Sequence, residues 1–343
     1  MKTVAFFNNK GGVGKTTLAC NLAAHLSLDH DAKIVMLDAD PQCNSTQLVL
    51  APDQWAALYL DEPEVSRGTL IDILRPMEDG EPSIDNSVEP ISGSSTRFGF
   101  DLIPGHPRMS IMEDLLSRSW SEASGGEVGG IRKTRWASAL DSVYGSAYDA
   151  MFIDVGPSLG SLNRSILLEC DYFVTPMAAD IFSIVGVRNI NQWLKQWIAT
   201  YKTGISLCNA QHPGALDRYF ATMDIKIESG FAGYTVQQYI TKSKEGIRRP
   251  TAAFEKILED MPAEIDSALM PFAASSVDAN LVKLGDVPSM YSLVPLAQAC
   301  NSPIKKLTSA DGLAGGQYSQ QANYAEVIGA VSTSLARNIG LEL

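Results

Sequence analysis

The chain has 343 residues, 45% hydrophobic and 19% charged, with a net charge of −12 and a pI near 4.8. This is globular material, ample for a sizeable core, and its acidic balance argues against bulk attraction to nucleic acid. No run approaches the length of a membrane span, and the opening MKTVAFFNNK lacks the apolar stretch of a signal peptide. Cys20, Cys43, Cys170, Cys208 and Cys300 are scattered, odd in number and without CxxC, as expected of a reduced cytosolic chain. His25, His30, His106 and His212 show no ligand spacing with cysteine or acid, so nucleophile and metalloenzyme readings fail.

In chain order, residues 3–7 (TVAFF) predict a short buried strand, β-branched and aromatic, stopped by Asn8-Asn9. From Thr16 the pattern turns helical, with Leu18, Ala19, Leu22, Ala23 and Leu26 at three- and four-residue steps. Residues 33–38 (KIVMLD), 98–103 (FGFDLI), 150–155 (AMFIDV) and 172–176 (YFVTP) predict four further strands. Helical patterns cover 184–201 and 324–339, while 78–95 and 121–130, rich in Gly, Ser, Pro and acid, predict loops. Strands alternating with helices predict an α/β fold: a doubly wound, mostly parallel sheet with helices on both faces. The expectation is one domain over 1–343, with loop insertions near 78–95, 121–130 and 203–217. Parallel order puts ligands at the carboxyl ends of strands, where Asn8, Asp38 and Asp154 fall.

Between the first strand and its helix lies FFNNKGGVGKTT, residues 6–17. Strand, glycine loop and helix in succession make a phosphate-binding loop credible. Gly11, Gly12, Val13 and Gly14 would turn backbone N–H groups inward, and the helix N-terminus at Thr16 and Thr17 adds positive potential for an anion. Lys15 would reach the β- and γ-phosphates, and the Thr16 hydroxyl would ligate Mg²⁺. Asn9 stands where the strict pattern has glycine, and a second cation, Lys10, precedes the glycines. Two more strand ends carry carboxylates. Asp38 and Asp40 sit in LDADPQCNST (37–46), and Asp154 sits in FIDVGPSLG (152–160), where it suits a Walker B ligand of Mg²⁺.

KGGVGKTT resembles the deviant phosphate loop of the ParA/MinD partition ATPases. In that family the early lysine reaches across a dimer to the nucleotide of the partner subunit, and Lys10 occupies that position. DADPQCN resembles the family's DxDPQGN, with Cys43 in place of glycine. Asp40 matches the residue that positions or activates the attacking water, and Asp38 one near the Mg²⁺ shell. DVGPSLG resembles DxPPSLG, with Gly156 for the first proline. FDLIPGH (100–106), DYFVTPMAADIFSIVGVRNI (171–190) and SLVPLAQACNSPIKKL (292–307) carry the resemblance nearly end to end. In the second of these the family has a proline loop near the base, which implies Pro176 as a nucleotide contact. The resemblance implies an ATP hydrolase with ATP and Mg²⁺ as cofactors and ATP sandwiched in a homodimer. It also implies a partner protein that stimulates hydrolysis, and the free-standing type without a preceding helix-turn-helix domain.

Partitioning members bind DNA non-specifically as ATP dimers, so DNA segregation or positioning of cargo is the implied process, in the cytoplasm or on the nucleoid. The alternative is the same switch gating a partner effector without DNA. Ten basic against five acidic residues between Gly186 and Lys256 make that span net positive. Within it TKSKEGIRRP (241–250), expected as a loop before a helix over 251–258, offers Lys242, Lys244, Arg248 and Arg249 as DNA contacts. Arg164 is a candidate trans contact or dimer salt bridge. The last helix places Val327, Ile328, Val331, Leu335 and Ile339 at helical steps with Arg337 as its one cation, which fits core packing rather than a membrane anchor.

Overall fold

The computed structural model describes residues 1–59, 68–217, 221, 223–237, 242–244, 247–249 and 252–343, with backbone alone for 242–244, 247–249 and 252–254. The elements in chain order are β1 (Lys2–Phe6), α1 (Lys15–Asp29), β2 (Ile34–Asp38), α2 (Asn44–Val49), α3 (Pro52–Tyr59), α4 (Leu70–Ile73) and α5 (Arg75–Glu78). Then come β3 (Asp101–Ile103), α6 (Met109–Ser124), α7 (Val128–Thr134), α8 (Trp136–Tyr144), β4 (Ala150–Asp154), α9 (Ser161–Glu169), β5 (Tyr172–Ala178) and α10 (Ile181–Gln211). The chain continues through β6 (Phe231–Gln237), β7 (Lys242–Lys244), β8 (Ile247–Arg249), α11 (Ala252–Ala268), β9 (Lys283–Val287), α12 (Leu293–Ala299) and α13 (Gln317–Ile339).

Seven strands form a parallel sheet in the order β3-β2-β4-β1-β5-β6-β9. Alternate residues of each inner strand enter two separate cores, because successive side chains point to opposite faces. Val4, Phe6, Ile34, Met36 and Phe152 meet α1 and α13 on one side. Ala5, Val35, Leu37, Met151 and Ile153 meet α6, α9, α10 and α11 on the other. With both faces covered, the inner strands read as continuous apolar runs, and this is why they were legible in the sequence. On α13, Ile328, Val331, Leu335 and Ile339 are buried, so the last helix packs as expected. Among the described residues no helix is long and apolar enough to cross a membrane.

Two strands of this sheet are not marked in the sequence. β9 is an edge strand whose Lys283 and Asp286 are exposed, so hydropathy does not mark it. β6 contains Gly233, at φ 133°, where a Cβ would come within 2.5 Å of the Val282 carbonyl. The predicted loops at 121–130 and 203–217 are corrected as well. α6 runs to Ser124, α7 starts at Val128, and α10 continues to Gln211. Their glycines serve close helix crossings: a Cβ on Gly126 would meet Cys208 N at 2.9 Å, and one on Gly204 would clash with the Ala123 carbonyl. The basic stretch is an antiparallel hairpin rather than a loop, pairing Lys242 with Arg249, Ser243 with Arg248 and Lys244 with Ile247. The helix after it runs well past the predicted end, to Ala268.

Candidate functional site

Register brings the chemistry together. β4 lies between β2 and β1, with Asp38 and Phe6 both paired to Asp154. The carboxyl ends of three adjacent strands therefore meet where the glycine loop leaves β1. Gly12 and Gly14 have φ of 74° and 76°, a left-handed backbone that favours glycine. Gly14 also begins α1, whose first turn has neither a side-chain cap nor an acidic residue. Its leading N–H groups are thus available to an anion. Lys15 is buried, and its ammonium bends back to within 3.4 Å of the Lys10 carbonyl. Burial lowers its pKa, against the opposing pull of Asp154 and Asp40. The Val13 side chain is buried beneath the loop, leaving its backbone to serve the site.

Asp154 is the hub. Its Oδ2 accepts from Thr16 Oγ1 at 2.7 Å and from Ser45 Oγ at 2.6 Å, while its Oδ1 is buried without a hydrogen-bond partner among the described residues. Burial raises its pKa despite those hydroxyls. A buried carboxylate oxygen left unpaired costs about 1–3 kcal/mol or more, so a cation fits here. With hydroxyl and carboxylate oxygens as neighbours, the donor set suits Mg²⁺. Asp38, paired in register with Asp154, has its oxygens engaged locally. Fully buried, it accepts Thr46 N (2.8 Å) and Thr46 Oγ1 (2.7 Å) at Oδ2, and Asp40 N (3.3 Å) at Oδ1. Both oxygens are thus engaged in the 38–46 turn, which Asp38 braces. Burial and the nearby Asp154 raise its pKa to about 8. Gly105 of the LIPG turn packs on the Asp38 backbone and donates to Thr46 Oγ1 at 2.9 Å, which gives that motif a physical purpose.

Asp40 is 7% exposed and faces the cavity that holds Lys15 and Thr16. Its Oδ1 accepts from Gln42 N at 3.0 Å. Gly156 lies against this carboxylate: a Cβ there would come within 3.1 Å of Oδ1. Cys43, standing where the related motif has glycine, adopts φ 52°, and burial pushes its thiol up to about 12.

Lys10 forms an ion pair with Asp180 and stands 5.9 Å from the centre of the Phe182 ring. Asp180 in turn caps α10, accepting Ser183 N at 3.0 Å. Pro176 is not brought to the cavity. It is buried within β5, paired with Thr235, and its carbonyl accepts Asn8 Nδ2 at 2.7 Å. Asn8 Oδ1 then accepts Lys10 N at 2.9 Å, so Pro176 supports the loop from behind. Arg164 is half-buried between the Trp120 and Trp197 rings, 5.2 and 5.3 Å from their centres. The side chains of Lys242, Lys244, Arg248 and Arg249 lie outside the described residues.

Among the cavities that reach the loop, two bear on the site. One of about 670 Å³ is lined by Gly11, Gly12, Gly14, Lys15, Thr16, Thr17, Asp40, Gln42 and Pro157 and extends to Trp55 and Asn301. The other, about 260 Å³, lies between the ends of β6 and β9, where Gln237, Pro288, Met290, Val294 and Tyr324 face Gly12 and Thr17. Sequence reasoning missed Ser45 and Thr46, single hydroxyls that look like ordinary helix-start residues, and Asp180, which pairs with Lys10 across 170 positions.

A family model for the AAA domain matches residues 1–207. The chromosome partitioning protein ParA of Caulobacter vibrioides is 28% identical over 199 residues, 57% of this chain and 63% of that protein's length. The chain belongs to the ParA-like branch of this AAA-domain family. A solved protein of Corynebacterium diphtheriae is 33% identical to this ParA-like chain, with a TM-score of 0.71, over 88% of the chain and 97% of that protein. The fold is shared with a Cyanothece McdA variant solved as an ATP complex, at 15% identity and a TM-score of 0.61, over 100% and 98% of the two chains.

Proposed function

We propose that this ParA-like chain is an ATP-dependent switch that binds Mg²⁺ and ATP at the glycine loop, hydrolyses ATP slowly and dimerises around it. The observation that carries this reading is that Lys15, Thr16 and Asp40 line one cavity beside an uncapped helix start, with Asp154 buried directly behind Thr16 and accepting its hydroxyl. Lys15 and the loop N–H groups would hold the phosphates, and the apolar cleft at Pro288 and Met290 suits a purine base. Thr16 and Asp154 would hold Mg²⁺, which, when bound, neutralises charge on the phosphate oxygens. Asp40 would orient the water for in-line attack, positioning being most of what such hydrolysis asks of a protein. Lys10 would leave Asp180 and reach the nucleotide of a second subunit.

Partition of DNA or positioning of cargo is the process this reading favours, in the cytoplasm and with a partner protein that stimulates hydrolysis. The hairpin that gathers four cations within eight residues supports DNA as the surface. Gating of an effector without DNA is the second reading, favoured by the net charge of −12. The test is light scattering with and without ATP on the wild type, Lys15→Ala, Asp40→Ala and Lys10→Ala/Asp40→Ala. Lys15→Ala should lose ATP binding, whereas Asp40→Ala should bind ATP and accumulate as a dimer that the added Lys10→Ala abolishes. A dimer equally stable without Lys10 would remove its role in trans. DNA affinity that depends on ATP and falls steeply with salt would select partition over gating.

A further inference from the structure

The loop between Asp154 and α9 forms one wall of the nucleotide cavity through Pro157, and its Gly156 lies against the Asp40 carboxylate. One buried side chain holds this loop. Asn163, 1% exposed in the first turn of α9, donates through Nδ2 to the Gly156 and Ser158 carbonyls, each at 2.8 Å. An amide NH₂ has two hydrogens, and both are used here. α9 itself is fixed separately. Glu113 of α6 accepts from Ser161 N and, at 3.0 Å, from Leu162 N, and the missing side chain of Gly160 makes room for the Glu113 carboxylate. One residue beyond Asn163, the Arg164 guanidinium is held between Trp120 and Trp197. The helix is thus anchored to α6 and α10 without help from Asn163, whose donors serve the loop.

We propose that Asn163 is a positioning residue for ATP hydrolysis, resting on the ATPase reading above. It fixes the backbone of residues 156–158 against Asp40, so that the carboxylate which orients water is held between Gln42 N on one side and Gly156 on the other. Without those two hydrogen bonds the loop is free to withdraw, and Asp40 loses the wall that restricts it. Nucleotide binding, which rests on Lys15 and the glycine loop, does not depend on this brace.

Asn163→Asp tests this, because it keeps the shape while turning an acceptor onto two carbonyl oxygens. The brace is lost while the new carboxyl is ionised, and protonation returns one O–H donor and so one of the two bonds. Affinity for a fluorescent ATP analogue should stay within about twofold while kcat falls by about 10- to 100-fold. Amide hydrogen exchange across 155–160 should speed up, and activity relative to wild type should recover in part as pH falls. Asn163→Ala should show the same loss of kcat with no recovery at low pH. Glu113→Gln, which keeps an acceptor at the α9 start and leaves the loop contacts intact, should have a smaller effect. Unchanged kcat with unchanged exchange would overturn the proposal. So would parallel losses of affinity, kcat and melting temperature, which mark a residue of general structure. A wild-type chain that never hydrolyses ATP would instead sink the ATPase reading, while exchange at 155–160 would still report whether Asn163 holds the loop.

Discussion

Lys10 is engaged within its own subunit, so any role it takes across a dimer must begin by breaking the pair with Asp180. Asp180→Asn isolates that step. The amide keeps an oxygen where Asp180 Oδ1 accepts Ser183 N at 3.0 Å, so the α10 cap survives. What is lost is the charge facing Lys10. The two side chains are 32% and 27% exposed, which places the pair in the solvent-screened class worth about 0.5–1 kcal/mol. A dimer that uses Lys10 from both subunits breaks two such pairs, about 1–2 kcal/mol together, or about 5- to 30-fold in dimer dissociation constant. The measurement is sedimentation of Asp40→Ala and Asp40→Ala/Asp180→Asn with saturating ATP over a concentration series. The double variant should dimerise at the lower concentration, and its advantage should shrink as salt rises. Equal or weaker dimerisation with an unchanged melting temperature would refute the reasoning, and would make the ion pair irrelevant to what Lys10 does next.

Three other outcomes follow from the geometry. Cys43, at φ 52°, should tolerate glycine within about 1 kcal/mol, relief of the left-handed backbone offsetting lost burial. Cys43→Val should cost about 2 kcal/mol or more, because a β-branched residue resists that conformation, and a urea midpoint equal to wild type would contradict this. Burial pushes the Glu169 carboxyl up from 4.5 to about 7 against the pull of Arg135 and Lys226. The native chain then keeps a proton that the unfolded chain has lost, so stability should fall as pH rises through that window. Glu169→Gln should flatten this slope, and identical slopes in chemical unfolding would exclude Glu169 as its source. Arg248→Glu with Arg249→Glu should abolish ATP-dependent DNA binding at physiological salt and leave unstimulated ATP hydrolysis intact. Unchanged affinity in a salt titration would clear the hairpin of that role.

The phosphate loop, the aspartates at the ends of two strands and the parallel α/β architecture were legible in the sequence alone. Each of these is written in near neighbours: a strand buried on both faces is a short apolar run, and an anion-binding turn is a glycine cluster before a helix. Only the tertiary structure decided what those residues touch. Asp38 carries the same carboxylate as Asp154, yet pairing with Thr46 engages one in a turn while an orphaned oxygen leaves the other open to a cation. Pro176 matches a motif that places a proline beside the nucleotide, yet it is enclosed in β5. The glycines at 126, 130 and 204 have the composition of a loop but allow helices to pack closely. Asn163 and Asp180 give no periodic signal, because each acts through a few polar contacts, Asn163 on two carbonyls of the preceding loop and Asp180 on Lys10 of a distant one. Local propensity acts over a few residues, whereas burial and pairing depend on which surfaces meet, and surfaces meet only after the sheet has ordered its strands.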